Sequence, residues 1–281
     1  MAETAMIPRN RYMAVSTDPK HVAALAAIRE NMDGDFRESD LIRVKNPSGG
    51  SLMFEIDSPD GVTAASKIVG VIVYRAKLGV LWPTEKQGDQ KPVLTTEDMK
   101  VATLRVKEEE VPTDIWAGIK DSELTIEEIR KDPKYKAVPD DNLPRLFWWS
   151  GDKAIPYVQY GTSTKGDGRG KRAKEYQVLY VLREGDIFPL KLRMGPTSLR
   201  PTREYLVKMT DMPYHRAVTE ISLKQEKTAG GDAYSVAQFK RVGALEEEAH
   251  IAIVENFVQK IRAGYETGAF SAVNDADGAA E

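Results

Sequence analysis

The residues of this chain best placed to do chemistry lie between Gly161 and Arg193, GTSTKGDGRGKRAKEYQVLYVLREGDIFPLKLR. A glycine-rich stretch there carries Lys165, Arg169, Lys171, Arg172 and Lys174 against a single acid, Asp167. Just upstream stand Trp148, Trp149, Tyr157 and Tyr160; just downstream, Lys191 and Arg193 alternate with Leu190, Leu192 and Met194. Flexible cations beside aromatic rings suit a phosphate backbone tracked by charge, with bases stacked on ring faces. The competing reading is a solvated surface loop on an ordinary β-protein.

Other chemistries find less support. The chain has no cysteine, which excludes thiol catalysis, disulfides and cysteine-ligated metals. Its three histidines, His21, His215 and His250, have no spacing that converges on a metal. The run GTSTKGDGRGK fails as a nucleotide-binding loop because Asp167 follows Gly166 where lysine and then Ser/Thr are required. Gly166 to Gly170 also precedes a strand pattern, not the helix of a dinucleotide fingerprint. Asp140-Asp141 and the Asp57/Asp60 pair keep a Mg²⁺-dependent nuclease open as an alternative, with no evident lysine partner.

The formal net charge is -3, from 40 basic and 43 acidic residues, so no global field draws a polyanion. Charge is instead sorted along the chain. Lys165 to Arg193 holds eight basic and four acidic residues; Ala244 to Glu281 holds two basic and eight acidic ones. With 41% hydrophobic and 30% charged residues the composition is that of a soluble, folded chain. The opening MAETAMIPRNRYM lacks the apolar stretch of a secretory leader, so a cytoplasmic protein is expected.

The elements that must hold these residues read as follows. Asp18-Pro19 caps a short amphipathic helix with Val22, Leu25, Ile28 and Met32 on one face. Ser51–Asp57 alternates as a strand, Ile68–Trp82 reads as a long central strand bent near Gly79, and Met99–Val106 is a further strand. From Lys107 to Asp141 acids outnumber bases and prolines intervene; this is read as an acidic insertion between strands, a solvated connector with one capped helix in SELTIEEIRKD. Mimicry of nucleic-acid charge is its alternative role. Arg145–Trp149 and Ile155–Tyr160 return to strand character, and alternation forbids burying Phe147, Trp148 and Trp149 all on one face. After the strand pair turned at Glu184-Gly185-Asp186 come a helix started by Arg200-Pro201 and a hairpin of Val218–Lys224 with Tyr234–Phe239. The last element is a helix over Leu245–Ala263 with Ile251, Val254, Val258 and Ile261 as its buried stripe and Gly264 as its cap. The tail SAVNDADGAAE has too little apolar content to fold alone.

Several short motifs resemble those of a family of phage and prophage DNA-associated proteins. They are Arg29–Met32, Ser39–Gly50 (SDLIRVKNPSGG), Gly70–Val73, Pro196–Leu199, Tyr205-Leu206, and the Thr219–Leu223 and Tyr234 hairpin. The resemblance touches most of the chain. It implies single-stranded-DNA binding in phage replication or recombination, within a bacterial cytoplasm. Family members usually carry zinc-ribbon cysteine pairs before the basic loop; the corresponding region here, roughly 149–172, has none, which removes the metal role and leaves the cations.

The expectation is therefore an α+β protein with an antiparallel, barrel-like β core of oligonucleotide-binding type. A helical segment (1–46) precedes a core (47–243) that contains the insertion at about 107–141, and a helix with an acidic tail (244–281) follows. It is expected to be a sequence-tolerant single-stranded-DNA binder, not an enzyme, without cofactor or metal. Lys165, Arg169, Lys171, Arg172, Lys174, Lys191 and Arg193 would meet phosphates, and Trp148, Trp149, Tyr157 and Tyr160 would stack. The acidic tail would compete for the cationic groove when no strand is bound or recruit replication or recombination proteins by charge, with a plain solubility tail as the alternative. The rivals are a protein-interaction or inhibitory protein acting on a host factor through 107–141, and the Mg²⁺-dependent nuclease.

Overall fold

The computed structural model of the chain describes residues 38, 41–45, 50–58, 61–85, 90–164, 168–186, 188–228, 230–267 and 269–272. The helix expected after Asp18, the acidic tail beyond Ala272 and Lys165 lie outside the described residues. Eleven strands and four α-helices are present among those described: β1 (Arg43–Lys45), β2 (Phe54–Ser58), β3 (Gly61–Ala65), β4 (Lys67–Leu81), β5 (Leu94–Thr96), β6 (Val101–Leu104), α1 (Thr113–Ile119), α2 (Ile126–Ile129), β7 (Leu146–Trp148), β8 (Lys174–Arg183), β9 (Leu190–Met194), α3 (Leu199–Lys208), β10 (Ala217–Lys227), β11 (Ala233–Ala244) and α4 (Glu248–Thr267). The protein is thus a mixed α/β fold with a large, mostly antiparallel sheet and a few helices. No helix among the described residues is long and apolar enough to cross a membrane.

The chain divides into two compact units, 1–75 with 178–270 and 76–177 with 271–281; β4 and β8 contribute residues to both. In the first unit β2 pairs antiparallel with β1 (Val44↔Ile56) and with β3, while β1 runs parallel to β9 (Val44↔Leu192). β10 pairs with β4 (Val218↔Val71) and forms the expected hairpin with β11, with a register shift at Val218/Thr219. Period-two alternation gives the strands one apolar face each, and Phe54, Ile56, Ile68, Ile72, Leu179, Val181, Leu192 and Ile221 merge into one core. The sheet is not closed: β3 and β11 each pair with one neighbour only, so the expected barrel is not formed by these pairings.

α4 buries the stripe expected of it, Ile251, Val254, Val258 and Ile261. Its bounds differ from the expectation, because Gly264 is not a cap but a buried residue of the last turns. A Cβ there would lie 1.7 Å from Cδ2 of Phe270, so glycine is required by the ring packed against the helix.

In the second unit the end of β4 pairs with β5 (Gly79↔Thr96), β5 with β6, and β6 with β7 (Ala102↔Phe147), all antiparallel. The core beneath them gathers Leu81, Val93, Leu94, Ala102, Phe147, Trp149 and Ile155. The acidic insertion does lie between strands β6 and β7, but it is not merely a solvated connector. Val111, Ile115 and Ile119 of this segment belong to the same core, so α1 is a packed element whose acids face outward. The short α2 carries a capping box: Thr125 Oγ1 accepts from the Glu128 N–H at 3.2 Å, and the Glu128 carboxylate accepts from the Thr125 N–H at 3.0 Å. Ile155–Tyr160 is not a strand. Pro156 sits at the start of a single 3₁₀ turn, Pro156–Val158, where its missing N–H and fixed φ favour a turn over a ladder.

Gly79 is a tightly packed point of this unit, since a Cβ there would fall 2.6 Å from the Trp149 indole and 2.6 Å from Thr96 Cγ2. Gly79→Ala is therefore expected to lower stability by about 1–3 kcal/mol through overpacking, read as a shift of the urea midpoint at constant slope. An unchanged midpoint would show that the indole yields without cost.

Candidate nucleic-acid interface

The glycine-rich segment belongs to the second unit and forms a loop with a closed base. The N–H groups of Gly161, Thr162 and Ser163 all donate to the Gly170 carbonyl, at 3.1, 3.1 and 2.9 Å. Gly161 and Gly168 adopt φ of 87° and 72°, the left-handed region that glycine enters at least cost. The first arm is held by Glu85, whose Oε2 accepts from the Thr164 N–H (2.8 Å), the Thr164 hydroxyl (2.8 Å) and the Ser163 hydroxyl (3.1 Å). The Lys174 ammonium stands 3.6 Å from the other oxygen, Oε1. Burial pushes the Glu85 carboxyl up, but the Thr164 and Ser163 hydrogen bonds and Lys174 outweigh it and hold it below the ordinary glutamate value. Glu85 is thus an ionised, nearly buried anchor for the loop.

The second arm is held through Arg172. Its guanidinium donates to the Asp114 carboxylate at 3.0 Å and to the Pro83 carbonyl at 3.2 Å, and lies 5.1 Å over the Tyr157 ring. The Tyr157 hydroxyl in turn donates to the Asp114 carbonyl at 2.9 Å. With 11% of its side chain exposed, Arg172 is a strut between α1, the turn after β4 and the loop. The Arg172 hydrogen bond keeps the Asp114 carboxyl below the usual aspartate range, so the pair is intact at neutral pH and is lost only as pH falls through that depressed value.

Lys171 is placed differently. It pairs with Glu175 at 2.8 Å, and its ammonium also lies 5.1 Å over the ring of Tyr160. Tyr160 is 80% exposed, so this ring keeps a face in solvent beside a cation. Arg169 is exposed as well.

The structure therefore sorts the expected site residues. Tyr160, with the half-buried Lys171 over its ring, and the exposed Arg169 are the groups the loop leaves accessible, whereas Arg172, Lys174 and Tyr157 hold the loop in place. Trp149 is buried in the core of this unit, and half-buried Trp148 packs on Leu124, Ile129 and Leu146; Trp149 offers no face to a base. Lys191 and Arg193 belong to the first unit. The alternation of β9 is as expected, but the face opposite Leu190 and Leu192 is covered: Lys191 is 2% exposed and forms a buried ion pair with Glu38, while Arg193 is half-buried. Lys191 therefore presents no charge to solvent.

Two residues essential to this arrangement, Glu85 and Asp114, were not singled out by sequence. Asp114 carries a weak signal as an acid of the insertion; Glu85 carries none, because its partners lie 78 and 79 positions away. Asp140 of the acidic pair ion-pairs with Arg130, and among the described residues no three His, Asp or Glu side chains gather as a metal site. No family model, curated protein or solved structure matches the chain.

Lys191→Ala removes one side of the buried Lys191–Glu38 ion pair, a change that costs about 3–5 kcal/mol in other proteins. Equilibrium unfolding should show a loss of that size, with polyanion binding by the folded protein unchanged. Full stability together with weakened binding would return Lys191 to the interface.

Proposed function

We propose that this chain binds single-stranded DNA with little sequence preference, and that it does so in phage replication or recombination. One observation carries the reading: an exposed tyrosine ring at the mouth of a tethered glycine-rich loop, with the Lys171 ammonium 5.1 Å over it. A ring face and a cation at that separation match the alternation of base and phosphate along an unpaired strand. A duplex offers no unstacked base to such a ring. Arg169 adds an exposed cation to the loop, and its fixed base means less entropy is lost when a strand is bound.

Under this proposal the open, mostly antiparallel sheet serves as a scaffold of oligonucleotide-binding type, presenting the loop from the strand that follows it, β8. Replication or recombination partners would engage the acidic C-terminus by charge. The short resemblance to phage DNA-associated proteins supports the biological setting, and the ring and cation support the chemistry.

Tyr160→Ala should weaken binding of a labelled oligothymidylate by the loss of one stacked base, about 1–3 kcal/mol. Lys171→Ala should reduce the slope of log affinity against log salt by up to about 0.7. Fluorescence anisotropy across a salt series reads both. Binding indifferent to salt and to Tyr160 would refute the proposal.

A further inference from the structure

Each loop cation with a described ion pair is held by a carboxylate of the same unit: Lys171 by Glu175 at 2.8 Å, Arg172 by Asp114 at 3.0 Å and Lys174 by Glu85 at 3.6 Å. The three acids are not equivalent. Glu85 has 3% of its side chain exposed and spends one oxygen on three loop donors, so it is part of the architecture. Glu175 is 37% exposed and pairs with Lys171 outside the struts; Asp114 is 64% exposed, and when its carboxylate turns to water Arg172 keeps its bond to the Pro83 carbonyl, so the second arm stays tied. Asp114 is also delivered by the acidic insertion, on a helix whose Ile115 and Ile119 are locked in the core. The insertion thus carries a fixed anion to the second arm of the loop.

We infer that Asp114 and Glu175 are built-in competitors for the loop cations, occupying at Arg172 and Lys171 the places that a phosphate backbone must take. This inference rests on the proposal that the loop meets phosphates, and it adds the regulation of that site. A phosphate oxygen and a carboxylate oxygen present the same acceptor chemistry to a guanidinium or ammonium. Binding therefore exchanges one anion for another instead of filling an empty cationic groove. Two consequences follow. Affinity is set below what the loop's cation count alone would give, and salt weakens the internal pairs together with the external ones, so the salt dependence is shallower than that count suggests. A ligand offering a single phosphate gains little from the exchange, whereas a polymer places several phosphates within reach of the loop at once.

The test uses the full chain and two probes: a labelled oligothymidylate, and inorganic polyphosphate, which has phosphates but no bases. Asp114→Asn and Glu175→Gln each remove one competitor while keeping side-chain shape, with circular dichroism confirming the fold; Asp114→Ser replaces the first variant should it not fold. Each variant should bind polyphosphate about two- to fivefold more tightly at low salt, the range expected for an exposed ion pair. Each should also steepen the salt slope by up to about 0.7. Unchanged affinity and slope in either variant overturn the inference, and if wild type still binds the oligonucleotide the functional proposal survives that failure. Tighter polyphosphate binding by both variants, with no oligonucleotide bound by any form, keeps the competition and removes DNA as the ligand.

Discussion

The carboxylate of Glu85 is the constraint on which the loop depends. It is ionised although only 8% of the residue is exposed, and it remains so because three donors from Ser163 and Thr164 and the nearby Lys174 compensate its lost hydration. An apolar residue there would remove the acceptor those donors share and release the first arm. The second arm depends on the same turn after β4, since Arg172 reaches the Pro83 carbonyl. Both arms are thus tied within three residues of chain, Pro83 to Glu85.

The acidic insertion acquires its position from apolar contacts and its influence from charge. Ile115 and Ile119 fix α1 against Phe147 and Trp149, and Arg145 bridges Glu108 and Glu123 while lying 4.8 Å over the Trp116 ring. A segment anchored at so many points cannot drift, so the Asp114 carboxylate stands in a defined place near Arg172. An ordinary solvated acidic linker would screen the loop diffusely; this one acts on a single guanidinium.

How much of this was legible in the sequence depended on the range of the interaction. The β8–β9 pair with its turn at Glu184–Asp186, the long β4, the β10–β11 hairpin and the stripe of α4 were legible because period-two and helical patterns are local. Pro156 withholds a ladder donor from Ile155–Tyr160, and a turn stands where a strand was expected. Lys191 shows the limit of alternation: it was placed on the correct face of β9, yet that face is covered by Glu38, 153 positions away. Gly264 could be read as a helix stop only until the Phe270 ring was placed against it. The sorting of the loop cations into struts and accessible groups was not legible, because each cation is the same letter until its counter-ion is known.

That sorting bears on how an acidic protein can hold a polyanion. With a net charge of -3 and its best cations internally paired, the loop attracts phosphates weakly at long range. Electrostatics must then act at contact, where anion exchange costs little because the incoming oxygen replaces an outgoing one. Under the proposed function the ring of Tyr160 would carry a larger share of the binding than it would in a strongly basic groove, because stacking is not offset by displaced carboxylates. An unpaired strand supplies both the base and the phosphates, and a duplex supplies only the second. Under the proposed function, internal pairing of the cations would therefore favour the single strand by lowering the worth of phosphate contacts alone.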